Sequence, residues 1–388
     1  MRDAVIIEAV RTPIGKGKPT GALHGIHPVD LLAHSLQELV SRTGIDPGVI
    51  EDVIGGVVTQ AGEQSVNMTR RAALAAGYPE SVAATTVDRQ CGSSQQALHF
   101  AAQGVIAGAY DVVVAAGVES MSRVPMGASV LGADLNGTGF TARYPEPLVS
   151  QGLSAELIAA RWNLTRARVD EYAAGSHEKA VRATKEGSFA AQLAPLAGLT
   201  EDEGIRPGTT VEALAGLRPA FHSPEVAARF PEIDWNVTAA NASQISDGSA
   251  AILITTSEKA SELGLRPLAR VHSFAVAGDD PLLMLTAIIP ATRKVLHRAG
   301  LDISDIGLFE VNEAFASVVL AWAQDVAVDL SRVNVNGGAI ALGHPLGASG
   351  ARLATTLVHA LHEHDARYGL QTMCEAGGLA NATIYERL

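Results

Sequence analysis

The chain has 388 residues, 47% apolar and only 18% charged, which describes a compact globular protein of two or three core-forming units and excludes a disordered one. Its formal charge of −12 argues against a nucleic-acid partner, although a local basic pocket can still hold a phosphorylated ligand. No run of eighteen apolar residues is present to span a membrane, and two cysteines are too few for a secreted disulfide framework.

In chain order, the opening M-R-D-A-V-I-I-E-A-V lacks a basic n-region and a cleavage site, so it reads as a first strand and the expected location is the cytoplasm. Further strands are predicted at Val53–Val57, Ala83–Val87, Val112–Ala116 and Ala251–Thr255 after Val5–Val10. A second set is predicted at Arg270–Val276, Ile306–Val311, Arg332–Val335, Leu370–Cys374 and Ala382–Glu386. Ala-rich helical stretches alternate with both sets, the pattern of an α/β fold with mostly parallel strands. Residues 121–246 are richer in Pro, Gly and charge and read as an inserted lobe of helices and loops. The expected division is therefore a first half (1–120 and 247–268), the lobe (121–246) and a second half (269–388). The outer portions resemble weak copies of each other, and two similar βαβ units of independent origin fit the pattern equally well. Low aromatic content beside 38 glycines predicts tight Ala, Gly and Val packing between layers.

Four segments carry chemistry. Cys91 lies between a predicted strand and a helix with apolar residues at Ala97, Leu98, Ala101, Ala102, Val105 and Ile106. Its first turn, Gly92-Ser-Ser, leaves backbone N–H groups open, which can stabilise a thiolate or hold an oxyanion. From this pattern alone a reactive and a structural cysteine are equally good readings. A nucleophilic thiol needs a base, and His344 stands in Asn334-Val-Asn-Gly-Gly-Ala-Ile-Ala-Leu-Gly-His-Pro-Leu-Gly-Ala-Ser-Gly, where five glycines surround one imidazole. Such a loop offers little to a core, so a catalytic histidine explains it better than a packed one. Asn312 and Glu313 end a predicted strand where open α/β sheets place their sites, though helix capping also explains both residue types. Cys374 ends a strand before a Gly-Gly turn, where a second thiol can exchange a proton with substrate carbon.

Taken together, E-A-V-R-T-P-I-G-K, C-G-S-S, N-E-A-F-A and N-V-N-G-G-A-I-A-L-G-H-P-L-G-A-S-G-A-R resemble the motifs of the thiolase superfamily over essentially the whole chain. The resemblance implies a thiolase fold: duplicated βαβ halves in a five-layer α-β-α-β-α arrangement with an inserted loop domain over the coenzyme A site. By position, Cys91 would take the acyl group, His344 would deprotonate it, Asn312 would hold a water in an oxyanion hole, and Cys374 would act at the α-carbon. The backbone N–H groups of Cys91 and Ala376 would form a second oxyanion hole. Arg218, Ser243, Ala314 and Phe315 would contact coenzyme A, with a solvated surface arginine the equal alternative for Arg218. The implied activity is reversible, CoA-dependent cleavage of a 3-ketoacyl-CoA, with no metal or bound cofactor and with CoA thioesters as partners. The family further implies a homodimer or homotetramer.

Two departures stand out. The last motif reads Cys374-Glu-Ala-Gly-Gly where many thiolases have three glycines, which matters only if Ala376 needs positive φ. The loop segment Gln151-Gly-Leu-Ser-Ala-Glu puts a polar residue where short-chain enzymes have an apolar wall, as actinobacterial thiolases for steroid-derived esters also do. A bulky or polar acyl group is expected on that basis, with a fatty-acid 3-ketoacyl-CoA as the alternative. A decarboxylating condensing enzyme lacks the second cysteine, and a silent acyl-CoA-binding relative would have lost Cys91, His344 or Cys374.

Overall fold

A computed structural model describes residues 2–388. The first half runs β1 (Val5–Arg11), β2 (Gly15–Lys16), α1 (Pro28–Thr43), β3 (Asp52–Gly56), α2 (Met68–Ala75), β4 (Ala83–Val87), α3 (Ser93–Ala107) and β5 (Val112–Ser120). Helices α4 (Gly137–Arg143), α5 (Gln151–Arg161), α6 (Arg166–Glu186), α7 (Val211–Ala215) and α8 (Pro224–Arg229) follow before β6 (Ser246–Thr255) and α9 (Ser257–Glu262). The second half comprises β7 (Ala269–Gly278), α10 (Ile288–Ala299), β8 (Leu308–Val311), α11 (Ala316–Val326), α12 (Ala339–Leu342), α13 (Leu346–Glu363), β9 (Tyr368–Glu375) and β10 (Leu379–Arg387).

Strand order exposes the duplication. The path is β4-β3-β5-β6-β1 and then β7-β10-β9-β8, with β2 on β6. In the first half β3 pairs parallel with β4 and β5, then β5, β6 and β1 pair antiparallel. The second half repeats the scheme: β8 is parallel to β9, then β9, β10 and β7 are antiparallel. Among the described residues the two sheets pair at Val5–Arg270 and Ile6–Ala269, with Leu268 N donating to Ile6 O and Val271 N to Ala4 O.

The expectation of mostly parallel strands is corrected, since only β3–β4, β3–β5 and β8–β9 among the described strand pairs are parallel, and one predicted strand is corrected as well. Residues 332–335 form no strand, and only a parallel Phe309–Val333 bridge stands where the first half has β4. Asn334 turns to φ 47° and breaks the extended path. Its side-chain amide replaces the ladder instead: Oδ1 accepts from Val311 N at 2.8 Å and Nδ2 donates to Val311 O at 2.8 Å.

Alternation along each strand feeds separate cores. In β5, Val112, Val114, Ala116 and Val118 face α1 and α2, whereas Val113 and Ala115 face α3. The central layer is α3 with α13, covered on its far side by residues such as Val271, Leu308 and Tyr385 of the second sheet. Helices α10 and α11 cover the outer face of that sheet, where Trp322 is fully buried and donates to Thr292 at 2.9 Å. The layers are thus α-β-α-β-α. Of the helix face predicted after Cys91, only Ile106 departs, being 39% exposed at the end of α3.

The lobe is tied back by charge. Arg11 makes a bidentate pair with Asp202 at 2.7 and 2.9 Å and donates to Gln192 at 2.8 Å, all fully buried. Removing one partner of such a pair strands the other charge and costs about 3–5 kcal/mol.

The first turn of α3 touches the second turn of α13. Ala351 N donates to Ser94 Oγ at 2.9 Å, and a β-carbon on Gly350 would lie 2.2 Å from Gln95 N. Gly350→Ala should therefore wedge α3 from α13 and lower stability by about 1–3 kcal/mol, the usual range for overpacking. Urea unfolding of the intact chain measures it, and an unchanged midpoint contradicts the close approach.

Candidate active site

The same helix pair aims the functional residues. Cys91 stands two residues before the first residue of α3, and His344 two residues before the first of α13. Gln90, at φ 49°, turns the chain ahead of Cys91. Cys374 is the penultimate residue of β9 and Asn312 follows β8 directly. All four are buried, Cys91 at 5% and Cys374 at 1% exposure. Cys91 packs with Leu346, beside the His344 loop, and with Met373, beside Cys374. The structure thus brings Cys91, His344, Asn312 and Cys374 together from both halves.

The histidine's tautomer follows from its neighbours. Ser349 spends its single hydroxyl proton on Pro345 O at 2.9 Å. His344 Nδ1, 2.6 Å from Ser349 Oγ, must then be the N–H donor. The neutral ring is left with its lone pair on Nε2, which faces Asn312 Nδ2 at 3.5 Å. The loop backbone is held by His344 N donating to Gln244 O at 3.1 Å and Ser246 Oγ at 3.0 Å.

Two carboxylates clamp the loops. Glu119, fully buried, accepts from Val58 N, Thr59 N and Gln64 Nε2 and, across the halves, from Gly347 N at 2.9 Å. Glu313 accepts from Tyr172, Ser176, Asn334 and Ile340 N. The capping account of Asn312 and Glu313 is overturned: Phe315 is the residue at the cap of α11, and no side chain caps it.

Burial sets the resting charges. Desolvation, then Cys374 and Glu375 nearby, pushes the Cys91 thiol well above its ordinary value. Burial and then Glu375 push Cys374 up to about 12, and burial and then Arg352 hold His344 down to about 3. The expected helix-end stabilisation of a Cys91 thiolate is outweighed here, so the resting pair is thiol and neutral imidazole. A proton passing between them needs no charge to enter from solvent.

The remaining predicted residues divide. Asn241–Ser243 is strapped to Ala314–Ala316: Ser243 N donates to Ala314 O and Ala316 N to Asn241 O, both at 2.9 Å. Phe315 meets Phe221 edge-on at 6.2 Å, and Gly152, next to Gln151, lies against the Phe221 ring. Ser243, Ala314 and Phe315 thus belong to one wall, and Phe221 joins it to the start of α5, where Gln151 is the first residue. Arg218 is exposed in the α7–α8 connection and is not brought to the cysteines. Ala376 has no positive φ, a conformation taken by Gly377 and Gly378, so alanine fits that turn.

Sequence reasoning missed Glu119, Ser349 and Glu375. Glu119 and Glu375 each end an apolar strand, a detectable signal, whereas the pairing of Ser349 with His344 shows only as a fifth-residue spacing. Among the described residues no three His, Cys, Asp or Glu side chains are grouped to hold a metal ion, and no helix is long and apolar enough to cross a membrane.

Known proteins match along the whole chain. Residues 4–258 match the thiolase N-terminal domain and residues 265–387 the thiolase C-terminal domain. The chain is 46% identical to the steroid 3-ketoacyl-CoA thiolase FadA6 of Mycobacterium tuberculosis, over 100% of this chain and 95% of that protein. It is 44% identical to a 3-ketoacyl-CoA thiolase of Photobacterium profundum over 100% of both. A crystal structure of the Bacillus anthracis acetyl-CoA acetyltransferase superposes with a TM-score of 0.88 at 37% identity, covering 100% of this chain and 99% of that one. The two domain matches and the layered, duplicated fold make this chain a member of the thiolase family.

Proposed function

We propose that the protein cleaves 3-ketoacyl-CoA with coenzyme A, giving acetyl-CoA and a shortened acyl-CoA, in fatty-acid or steroid degradation. The observation that carries the mechanism is two buried thiols, Cys91 clustered with Leu346 beside the His344 loop and with Met373 next to Cys374, and an imidazole whose lone pair is left on Nε2. Nε2 takes the Cys91 proton and the thiolate attacks the 3-keto carbon. The C2–C3 bond breaks, its electrons form the enolate of acetyl-CoA, and the Cys374 thiol protonates C2. The Cys374 thiolate then accepts the proton of an incoming CoA thiol. CoA attacks the acyl-Cys91 thioester, and the departing Cys91 sulfur recovers its proton from His344.

Charge on the reacting oxygens is met by two donor sets. His344 and a water held by Asn312 serve one, consistent with the buried Asn312 Oδ1, which has no partner within the protein. The N–H groups of Cys91 and Ala376 serve the other. Ser243, Ala314 and Phe315 guide the pantetheine arm and Arg218 the nucleotide end, under a lobe of residues 121–246. Gln151 favours a bulky or polar acyl group, in line with the steroid thiolase relative. The chemistry uses CoA as substrate and calls on no resident cofactor. We place the protein in the cytoplasm as a homodimer or homotetramer, the half-exposed edge strand β4, just ahead of Cys91, being a surface open to a second copy.

Purified protein should consume the enolate absorbance of 3-ketoacyl-CoA only when CoA is added. A steroid-derived ester should be preferred over acetoacetyl-CoA and a longer straight-chain ester, and Cys91→Ala should be inactive. Silence on all three from folded, CoA-binding protein refutes the activity, while preference for the straight chain refutes the role given to Gln151. Ser349→Ala should lower kcat about 100-fold, the low end of what a positioned base supplies, by freeing the His344 tautomer. Steady-state kinetics should show KM changed far less, and an unaltered kcat would remove Ser349 from the mechanism.

A further inference from the structure

Glu375 follows Cys374 in the chain and is fully buried, yet neither of its carboxyl oxygens makes a hydrogen bond of good geometry, the backbone N–H of Asn381 being the donor that approaches it. The carboxyl lies against Gly92, the residue after Cys91: a β-carbon there would be 1.9 Å from Glu375 Oε1. Glycine at 92 thus makes room for this side chain at the start of α3. An acid group so placed is next to Cys374 in the chain and lies against the residue that follows Cys91, with little hydrogen bonding to hold it as a structural clamp. Burying a carboxylate without partners is costly, whereas the protonated acid is tolerated.

The surroundings agree. Arg89, in the loop ahead of Cys91, and the Asn381 N–H on β10 favour the charged form, and Asp88 opposes it. Burial outweighs them and raises the group to about 9. In the other direction, negative charge on Glu375 holds back ionisation of both Cys91 and Cys374.

We infer that Glu375 is a positioning residue for the two thiols, a neutral acid beside them whose lack of charge lets either thiolate form in turn. The inference rests on the proposal that Cys91 and Cys374 are the reacting groups. In each half of the cycle one of these sulfurs is negative. A carboxylate beside them would oppose each in turn, whereas the neutral acid leaves both free to ionise and can donate its proton in a hydrogen bond. Below its own ionisation the group is silent, and above it the carboxylate suppresses both thiolates. The enzyme therefore carries an alkaline limit set by a residue that does not react.

The test compares intact wild-type protein with Glu375→Gln, following iodoacetamide labelling from about pH 7 to about pH 10, with each cysteine read separately by peptide mass spectrometry. The wild-type Cys91 rate should flatten as Glu375 ionises, while the variant continues to rise. A one-unit effect of the charge makes the variant about tenfold faster at the alkaline end. Superimposable profiles overturn the proposal. Infrared difference spectra of the wild type give a second readout that does not depend on the variant: a protonated buried carboxylic acid should disappear as pH rises through about 9. An ionised Glu375 at neutral pH overturns the proposal by itself. If Cys91 labels in neither protein while the carboxyl behaves as described, the nucleophile assignment has failed, and the inference falls with it for that separate reason.

Discussion

The contact between α3 and α13 governs this molecule. Both helices lie in the layer between the sheets, and the first turn of α3 meets the second turn of α13 where Ala351 N donates to Ser94 Oγ and Gly350 lies on Gln95. Because each helix is preceded by a functional residue at the same offset, bringing the two helix starts together also brings Cys91 to the His344 loop. Gly56, the last residue of β3, and Gly117, within β5, permit that convergence: a β-carbon on either would collide with Ser94 or Gly347.

Buried polar groups hold the remaining pieces in place. Glu119 joins the end of β3 to the start of α13, and Glu313 gathers α6, Asn334 and α12. Each carboxylate has several donors, so removing one contact leaves the others to fix the loop, while removing the carboxylate would orphan them all. Glu375 is the exception among these acids, since it is buried as deeply and makes no hydrogen bond of good geometry. The difference separates acids that build loops from one that faces the chemistry.

Much of this was legible in the sequence because local signals agree with the global fold. The strands carry alternation, the Gly-rich loop around His344 is too costly to be a mere connection, and Cys374 and Asn312 stand at strand ends. The layered fold and the family came from those motifs. What sequence alone could not give were relations between distant positions. Asn334 reads as part of a strand, yet its side chain substitutes for one against Val311. Asn312 and Glu313 stand where a site or a helix cap reads equally from residue type, and only the structure shows which residues of other elements they serve. The sign of the Cys91 shift depends on burial and on Glu375, neither of which a helix-start pattern contains.

The narrow seam between the sheets, two residue pairs from β1 to β7, has a further meaning. Each sheet carries its own outer helices and its own core, while thiol and imidazole sit on opposite halves. Reactivity is thus a property of registration between two plates, and a slip of the central helices can silence the enzyme while both plates remain folded. Loss of activity is the first symptom of strain in this architecture, ahead of any loss of secondary structure.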